Sequence, residues 1–354
     1  MKHRILVAPL DWGLGHATRC IPILREFVAQ GAEPWIAASG IQKELLQTDF
    51  SSLSFLELDG YGVNYSSQGR SLPWKILAQA PSLWNRMRKE HNWLHKVNKI
   101  HRFHGIISDN RFGLYHPEIK SVFLTHQLAI KTGLGSWANN WVNRQNRQII
   151  ERFNECWVPD WPGEENLAGE LSHPATPPKQ VKYIGPLSRL EMVETPEKLG
   201  LLIILSGPEP QRSILESKIL EQLSQADEKF VLVRGLGAEE NPIHHPKGII
   251  LNHLGSEELA KKIASAEFVI CRSGYSSIMD LVKLGKPMIL VPTPGQAEQE
   301  YLFNQMLTKG MAIGASQDTF NIIELLHKAR SFSFQTRLYQ NDLLRDVVGK
   351  WLNG

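Results

Sequence analysis

The residues best suited to chemistry lie at two turns where a strand hands over to a helix. Arg272-Ser273-Gly274-Tyr275-Ser276-Ser277 joins hydroxyls to a glycine just after the apolar run at 267–271. Such a turn leaves backbone N–H groups unpaired at the positive end of the helix, and an anion fits there. Asp280, one helical turn on, is spaced to face back toward the same ligand. An ordinary capped helix would use the same residues. The other turn follows the first strand. Gly13 and Gly15 let a ligand approach the backbone closely, and His16 opens the helix. An imidazole there suits a general base, while a surface histidine on a helix cap is the plain alternative.

Neither turn is a known nucleotide fingerprint. After Gly13 and Gly15 the third glycine position of a dinucleotide site is Thr18, and no acidic residue follows a second strand where ribose recognition needs one. There is no GxxxxGK[ST] loop, Asp-x-Asp pair, GxSxG elbow or HExxH helix. Diphosphate charge would have to be met by helix N-termini and an arginine. A third turn, from Ser206 and Gly207 to Arg212, offers both, although Pro208 and Pro210 remove donors from it. Gln299 and Glu300, early on the helix after the strand at 288–292, suit sugar hydroxyls.

Strands at 5–10, 33–38, 53–58, 105–109, 120–125 and 156–160 alternate with helical patterns. The alternation returns at 201–207, 230–235, 248–254, 267–271 and 288–292. This βα rhythm predicts an α/β protein with two parallel, doubly wound sheets. Ligands of such sheets bind at the carboxyl edge, where Asp109-Asn110-Arg111 and Thr125-His126-Gln127 end two strands. The expected division is 1–165 and 199–335, joined by a Pro- and Gly-containing linker at 166–198, with a last helix at 336–354.

A chain of 354 residues has room for two cores, and a net charge of +3 is too mild to imply nucleic acid. Its three cysteines lack metal or redox spacing, no apolar run is of membrane length, and no signal peptide precedes the first strand. A cytoplasmic protein is expected. From 70 to 104 the chain carries eight Lys/Arg against Glu90 alone, interleaved with Trp74, Trp84 and Trp93. That mixture fits an anionic membrane surface, an acceptor-binding face, nucleic acid held through phosphates and stacking, or surface helices whose tryptophans pack inward.

The stretch GLGHATR at 13–19, together with CRSGYSSIMDLVKLGKPMILVP and the following Gln and Glu residues, resembles family-28 glycosyltransferases. The family implies a GT-B fold, two Rossmann-like domains facing across a cleft, with the last helix returning to the N-terminal domain. It also implies a metal-independent, inverting transferase using a nucleotide-diphosphate sugar, usually UDP-linked and N-acetylglucosamine-like. By position, Ser273, Gly274, Tyr275, Ser276 and Ser277 would hold the diphosphate, and Asp280 the ribose. Gln299 and Glu300 would read the sugar, and the Leu254 backbone the base. Ser206, Gly207 and Arg212 would form the second phosphate loop. Gly15 and His16 would lie near acceptor and donor phosphates. His126 and Gln127 mark the acceptor side, where only the glutamine follows the family pattern.

The expected reaction is direct displacement, with His16 as first candidate base and Asp109 as second, on a hydroxyl of a glycan or lipid-linked acceptor of cell-envelope type. No metal or other cofactor is expected. The alternatives are a nucleotide-sugar hydrolase or epimerase on the same fold, and a non-catalytic nucleotide-sugar-binding or membrane-surface protein. Peripheral attachment to the inner face of the membrane would follow from the patch at 70–104.

Overall fold

The computed structural model describes residues 2–11, 13–61, 80–225, 227–236, 243–336 and 342–354. The chain divides after Ser188 into two compact units, each with its own parallel sheet.

In the first unit, β1 (Arg4–Pro9), β2 (Glu33–Ala37), β3 (Ser54–Leu56), β4 (Gly105–Asp109), β5 (Lys120–Leu124), β6 (Glu155–Val158) and β7 (Val181–Tyr183) form one sheet. Their order is β3-β2-β1-β4-β5-β6-β7. Helices α1 (Leu14–Ala29), α2 (Gly40–Asp49), α3 (Ala80–His101) and α4 (Ser136–Ile150) fill the crossovers. The strands are apolar because both faces are covered. Leu6, Val7, Ile106, Ile107, Val122 and Leu124 have no exposed surface. The order reverses between β1 and β4, which pair in register from Ile5 with Gly105 to Pro9 with Asp109. A crevice at the carboxyl edge forms at such a switch point.

In the second unit, β8 (Leu199–Ile204), β9 (Phe230–Val233), β10 (Gly248–Leu251), β11 (Ala266–Cys271), β12 (Met288–Leu290) and β13 (Ala312–Gly314) run in the order β10-β9-β8-β11-β12-β13. Its helices are α5 (Gln211–Gln225), α6 (Ser256–Ser265), α7 (Tyr275–Lys283), α8 (Ala297–Thr308) and α9 (Ile322–Ser331). Here the switch point lies between β8 and β11, which end side by side at Ile204 and Cys271. The turn that opens α7 is therefore on that edge.

The last helix, α10 (Leu343–Asn353), belongs to the first unit. Its Trp351 indole is buried, with ring centroids 5.7 Å from Phe27 and 5.9 Å from Trp157. Gly105 makes room for it, since a Cβ there would stand 2.0 Å from the indole. The expected start of this helix falls partly on 337–341, outside the described residues.

Three expectations change. The segment at 166–198 is no plain linker, because β7 extends the first sheet and pairs with β6. Asp160, fully buried, accepts from the N–H groups of Trp161, Leu167 and Ala168 and from the Ser172 hydroxyl, and so folds the loop before β7 against the unit. The short strand had been hidden by the surrounding prolines. Helical spacing predicts one buried face of Ile21, Leu24, Phe27 and Val28 on α1, and the first three are buried while Val28 is 47% exposed. Of the aromatic and basic patch, Trp74 lies outside the described residues, and Trp93 packs against the core around Leu94 and Phe103. Among the described residues of the patch, Trp84 is the indole that faces out.

Candidate functional site

At the switch point of the first sheet, the turn into α1 is pinned from below. The Gln42 amide donates to the Leu10 carbonyl at 2.6 Å and to that of Gly13 at 2.8 Å. Gly13 has φ +80°, in the left-handed region that glycine enters without strain. With the turn fixed, the first two turns of α1 present His16, Arg19 and Cys20 to the end of β4.

Asp109 is the centre of this cluster and is fully buried. Arg19 donates Nε to both of its carboxylate oxygens, at 2.9 and 3.0 Å, and an Nη group to one of them. His16 Nδ1 lies 3.0 Å from Asp109 Oδ2, and Cys20 Sγ stands 3.7 Å from the same oxygen. Arg19 Nη2 lies 2.9 Å from His16 Nδ1, and Nη1 lies 3.2 Å from His126 Nδ1. A bond to a carboxylate is the stronger of the two open to His16 Nδ1, so this nitrogen carries the proton and donates to Asp109. Nε2 then holds the lone pair. Asn110, at φ +52°, turns the chain just after Asp109. With its amide nitrogen toward the Leu124 carbonyl and the Thr125 hydroxyl, its oxygen accepts from Arg19.

The electrostatics agree with these roles. Burial lowers the His16 pKa, and nearby Arg19 and His126 push it further down against the pull of Asp109, so the imidazole is neutral near pH 7. Burial alone would raise the Asp109 carboxyl, but Arg19 and His16 hold it below the usual carboxylate range. Burial, then the Asp109 charge, push the Cys20 thiol well up, so it stays protonated. Asp109 is thus not a second base. Its oxygens are committed to Arg19 and His16, and it orients the histidine. His126 is only 5% exposed and takes a place behind Arg19. Gln127 is held by its backbone: its N–H donates to Thr125 Oγ1 and its carbonyl accepts from Asn146. Asn139 and Asn143 on α4 bind Thr132 and Ile130 in the same loop, so an asparagine row fixes the segment after β5.

Sequence reasoning overlooked Arg19 and a second buried network. The spacing of His16 and Arg19, one helical turn apart, was the available signal for the first. In the second, Arg111 donates to the Pro9 and Asp59 carbonyls and to Glu90 Oε1. Glu90 also accepts from the Tyr61 hydroxyl and the Gly113 N–H. Glu90 is the lone acid of the basic stretch, and it faces inward to brace the loop after β4.

At the carboxyl edge of the second sheet, four loops meet. Ser273 donates its hydroxyl to the Gln299 carbonyl at 2.8 Å, and the Thr293 N–H donates to Gln299 Oε1 at 2.9 Å. Arg272, 1% exposed, donates to the Val291 and Pro292 carbonyls, the Gln211 carbonyl and Gln317 Oε1. All of these partners are neutral, and desolvation brings its pKa down to about 10. Arg272 Nε and Thr293 Oγ1 are buried without a hydrogen-bond partner in the chain. Gly274 has no side-chain cap over the N–H groups of α7, and the space above its Cα is open.

Several donor-side assignments shift in consequence. Ser273 is buried and ties the turn to α8, and the Tyr275 ring lies in the core. Ser276, Ser277 and Asp280 are half-buried on the first turns of α7. Ser206 and Gly207 are exposed at the end of β8, Gly207 with φ +105° beside Thr293. Arg212 does not reach for phosphate, because Glu209 and Glu216 neutralise it inside the unit. Gln299 and Glu300 brace the loop before α8, Glu300 by accepting from the Gly295 N–H at 3.0 Å. Leu254 is half-buried before α6. Gly15 accepts from the Thr18 hydroxyl on α1, in the first unit.

Residues 211–342 match the model of the glycosyltransferase family 28 C-terminal domain. Most of the second unit thus resembles the C-terminal domain of family 28 glycosyltransferases. The chain is also 36% identical over 66 residues to the UDP-N-acetylglucosamine--N-acetylmuramyl-(pentapeptide) pyrophosphoryl-undecaprenol N-acetylglucosamine transferase of Methylorubrum extorquens (strain PA1). That alignment covers 18% of each, less than a fifth of the relative's length. An uncharacterized glycosyltransferase of Methanosarcina mazei is 21% identical over 325 residues, 84% of this chain and 81% of that one. The crystal structure of the glycotransferase of kitacinnamycin matches with a TM-score of 0.65 at 12% identity, over 99% of this chain and 94% of that one. This likeness shows the fold: two Rossmann-like units of the GT-B type, as the family 28 resemblance implied.

Proposed function

We propose that this chain is an inverting, metal-independent glycosyltransferase that moves a sugar from a UDP-sugar to a hydroxyl of a glycan or lipid-linked acceptor. The observation that carries this reading is the neutral His16, oriented by buried Asp109 and Arg19 at the switch point of the first sheet. His16 Nε2 takes the proton of the acceptor hydroxyl as its oxygen forms a bond to the anomeric carbon. The bond from that carbon to the nucleotide diphosphate breaks on the opposite face, and configuration inverts. The leaving diphosphate is stabilised by the uncapped N–H groups of α7 at Gly274, with the buried positive charge of Arg272 behind them. This role falls to Arg272 because Arg212 is already paired.

The UDP-linked donor, with N-acetylglucosamine as the first sugar to try, is supported by the name of the Methylorubrum relative. The test is UDP release from UDP-N-acetylglucosamine with lipid-linked glycan acceptors, with and without EDTA. Acceptor-dependent release that EDTA leaves unchanged is expected. Free sugar released at the same rate without acceptor would instead indicate a hydrolase.

A lipid-linked acceptor would bring the chain to the inner face of the membrane from the cytoplasm. Among the described residues no helix is long and apolar enough to cross a membrane. Support for a surface contact comes from Trp84, 54% exposed, and from α4, where Trp137 and Trp141 are 81% and 48% exposed on a helix with arginines and no acid. Flotation with anionic liposomes should carry the chain upward, and Trp137→Ala with Trp141→Ala should reduce it. Equal flotation of the variant would remove α4 from the contact.

A further inference from the structure

Helix α3 carries a feature that sugar transfer does not use. His91 and His95 stand one helical turn apart and half-buried, on a different side from Leu94, which packs into the core. Their Nε2 atoms are 3.1 Å apart. His91 Nδ1 lies 3.2 Å from the Gly113 carbonyl, which can only accept, so this nitrogen bears the proton and Nε2 bears the lone pair. The carbonyl is itself fixed. Gly113 N–H donates to buried Glu90, and a Cβ at Gly113 would stand 2.3 Å from the Met87 carbonyl. His95 Nε2 faces the His91 lone pair, and no carboxylate bonds to either ring among their described contacts.

From this geometry we propose that His91 and His95 form a chelating site for a divalent transition cation of the zinc type. Bonds of about 2.0–2.1 Å from one zinc ion to two imidazole nitrogens require a nitrogen separation of about 2.9–3.4 Å over the angles such ions adopt. The observed 3.1 Å falls inside that range. His91 also has the outer partner that metal-bound imidazoles use, a backbone carbonyl on the far nitrogen. On binding, the proton that His95 Nε2 shares with His91 moves to its Nδ1, and both Nε2 lone pairs go to the cation. No group of three or more His, Cys, Asp or Glu is arranged around one point among the described residues, so the remaining coordination positions belong to water. The His116 ring, 4.6 Å from that of His95, borders the site, its Nδ1 accepting from the Glu118 N–H. Nitrogen ligands and open positions select zinc, nickel or copper over magnesium or calcium.

Zinc on this pair would polarise the His91 ring and strengthen its Nδ1–H bond to the Gly113 carbonyl, which ties α3 to the loop after β4. The experiment is calorimetric titration of the whole chain with Zn2+, and separately with Mg2+, alongside Co2+ absorption spectra. Wild type should bind one Zn2+ at this site, raise its Tm, and give a Co2+ d–d spectrum, with no response to Mg2+. His95→Ala should weaken this binding at least about 10–100-fold, the scale on which even outer-shell partners act. Its only described polar contact is with His91, so it should fold as wild type does. His91→Asn should weaken binding equally. Zinc affinity and cobalt spectra unchanged in His95→Ala, or no zinc binding by the wild type, would overturn the site.

Discussion

His16→Ala should lower kcat for transfer by about 10²–10⁴-fold while leaving donor affinity unchanged, because the imidazole acts on the acceptor hydroxyl and not on the nucleotide. The wild-type rate should also fall in acid. Burial places the His16 pKa below its ordinary value of 6.5, so the acid limb of kcat/KM should lie below that pH. Stability moves in the same direction. The unfolded histidine binds its proton at a higher pH than the folded one, so the native state loses ground as pH falls below 6.5. Asp109 adds to this loss. Its folded pKa is depressed below the ordinary carboxylate value, so the stability it contributes is present above that value and lost as pH falls through the folded pKa. Retention of full kcat in His16→Ala would remove the histidine from the role of base.

Asp109→Ala should destabilise the chain by about 3–5 kcal/mol, because it leaves the Arg19 guanidinium buried without its counter-charge. Arg19 and Asp109 side chains are 5% and 0% exposed, so solvent screening does little to soften the loss. Transfer should fall as well, since His16 loses the acceptor that fixes its tautomer. Asp109→Leu combined with Arg19→Met separates the two effects. Removing both charges together should restore most of the stability measured by urea unfolding, yet leave kcat low. Wild-type kcat in that double variant would mean that His16 needs no partner for its orientation.

These two predictions depend on features of unequal visibility in the sequence. The βα rhythm showed both sheets, because strands covered on two faces must be apolar for their whole length. It also placed His16, Asp109 and the turn at Gly274 on carboxyl edges. β7 was not visible, since three residues between prolines carry no periodicity. Roles were harder to read than places. Arg212 looked like a phosphate ligand because its loop has the right form, but Glu209 and Glu216 lie one turn away on either side and claim its charge. Arg272 looked like part of the turn, and only its burial among neutral carbonyls shows a positive charge left uncompensated. Asp109 was placed correctly but given the wrong task, because burial and its contact with Arg19 come from residues 90 positions apart. The Glu90 network, with partners 21 to 29 positions away, was hidden in the same way.

The central claim is that the turn at Gly274 holds the diphosphate of a nucleotide sugar, and binding tests it most directly. Thermal unfolding should be followed with UDP-, GDP-, dTDP- and CMP-sugars, for the wild type and for Gly274→Val. The Gly274 backbone is at φ −72° with open space above it, so a side chain fits there without strain and only obstructs a ligand. A rise in Tm with the UDP-sugar, absent in Gly274→Val at unchanged ligand-free Tm, is the expected result. No stabilisation by any of the four donors, or the same stabilisation in the variant, would contradict it.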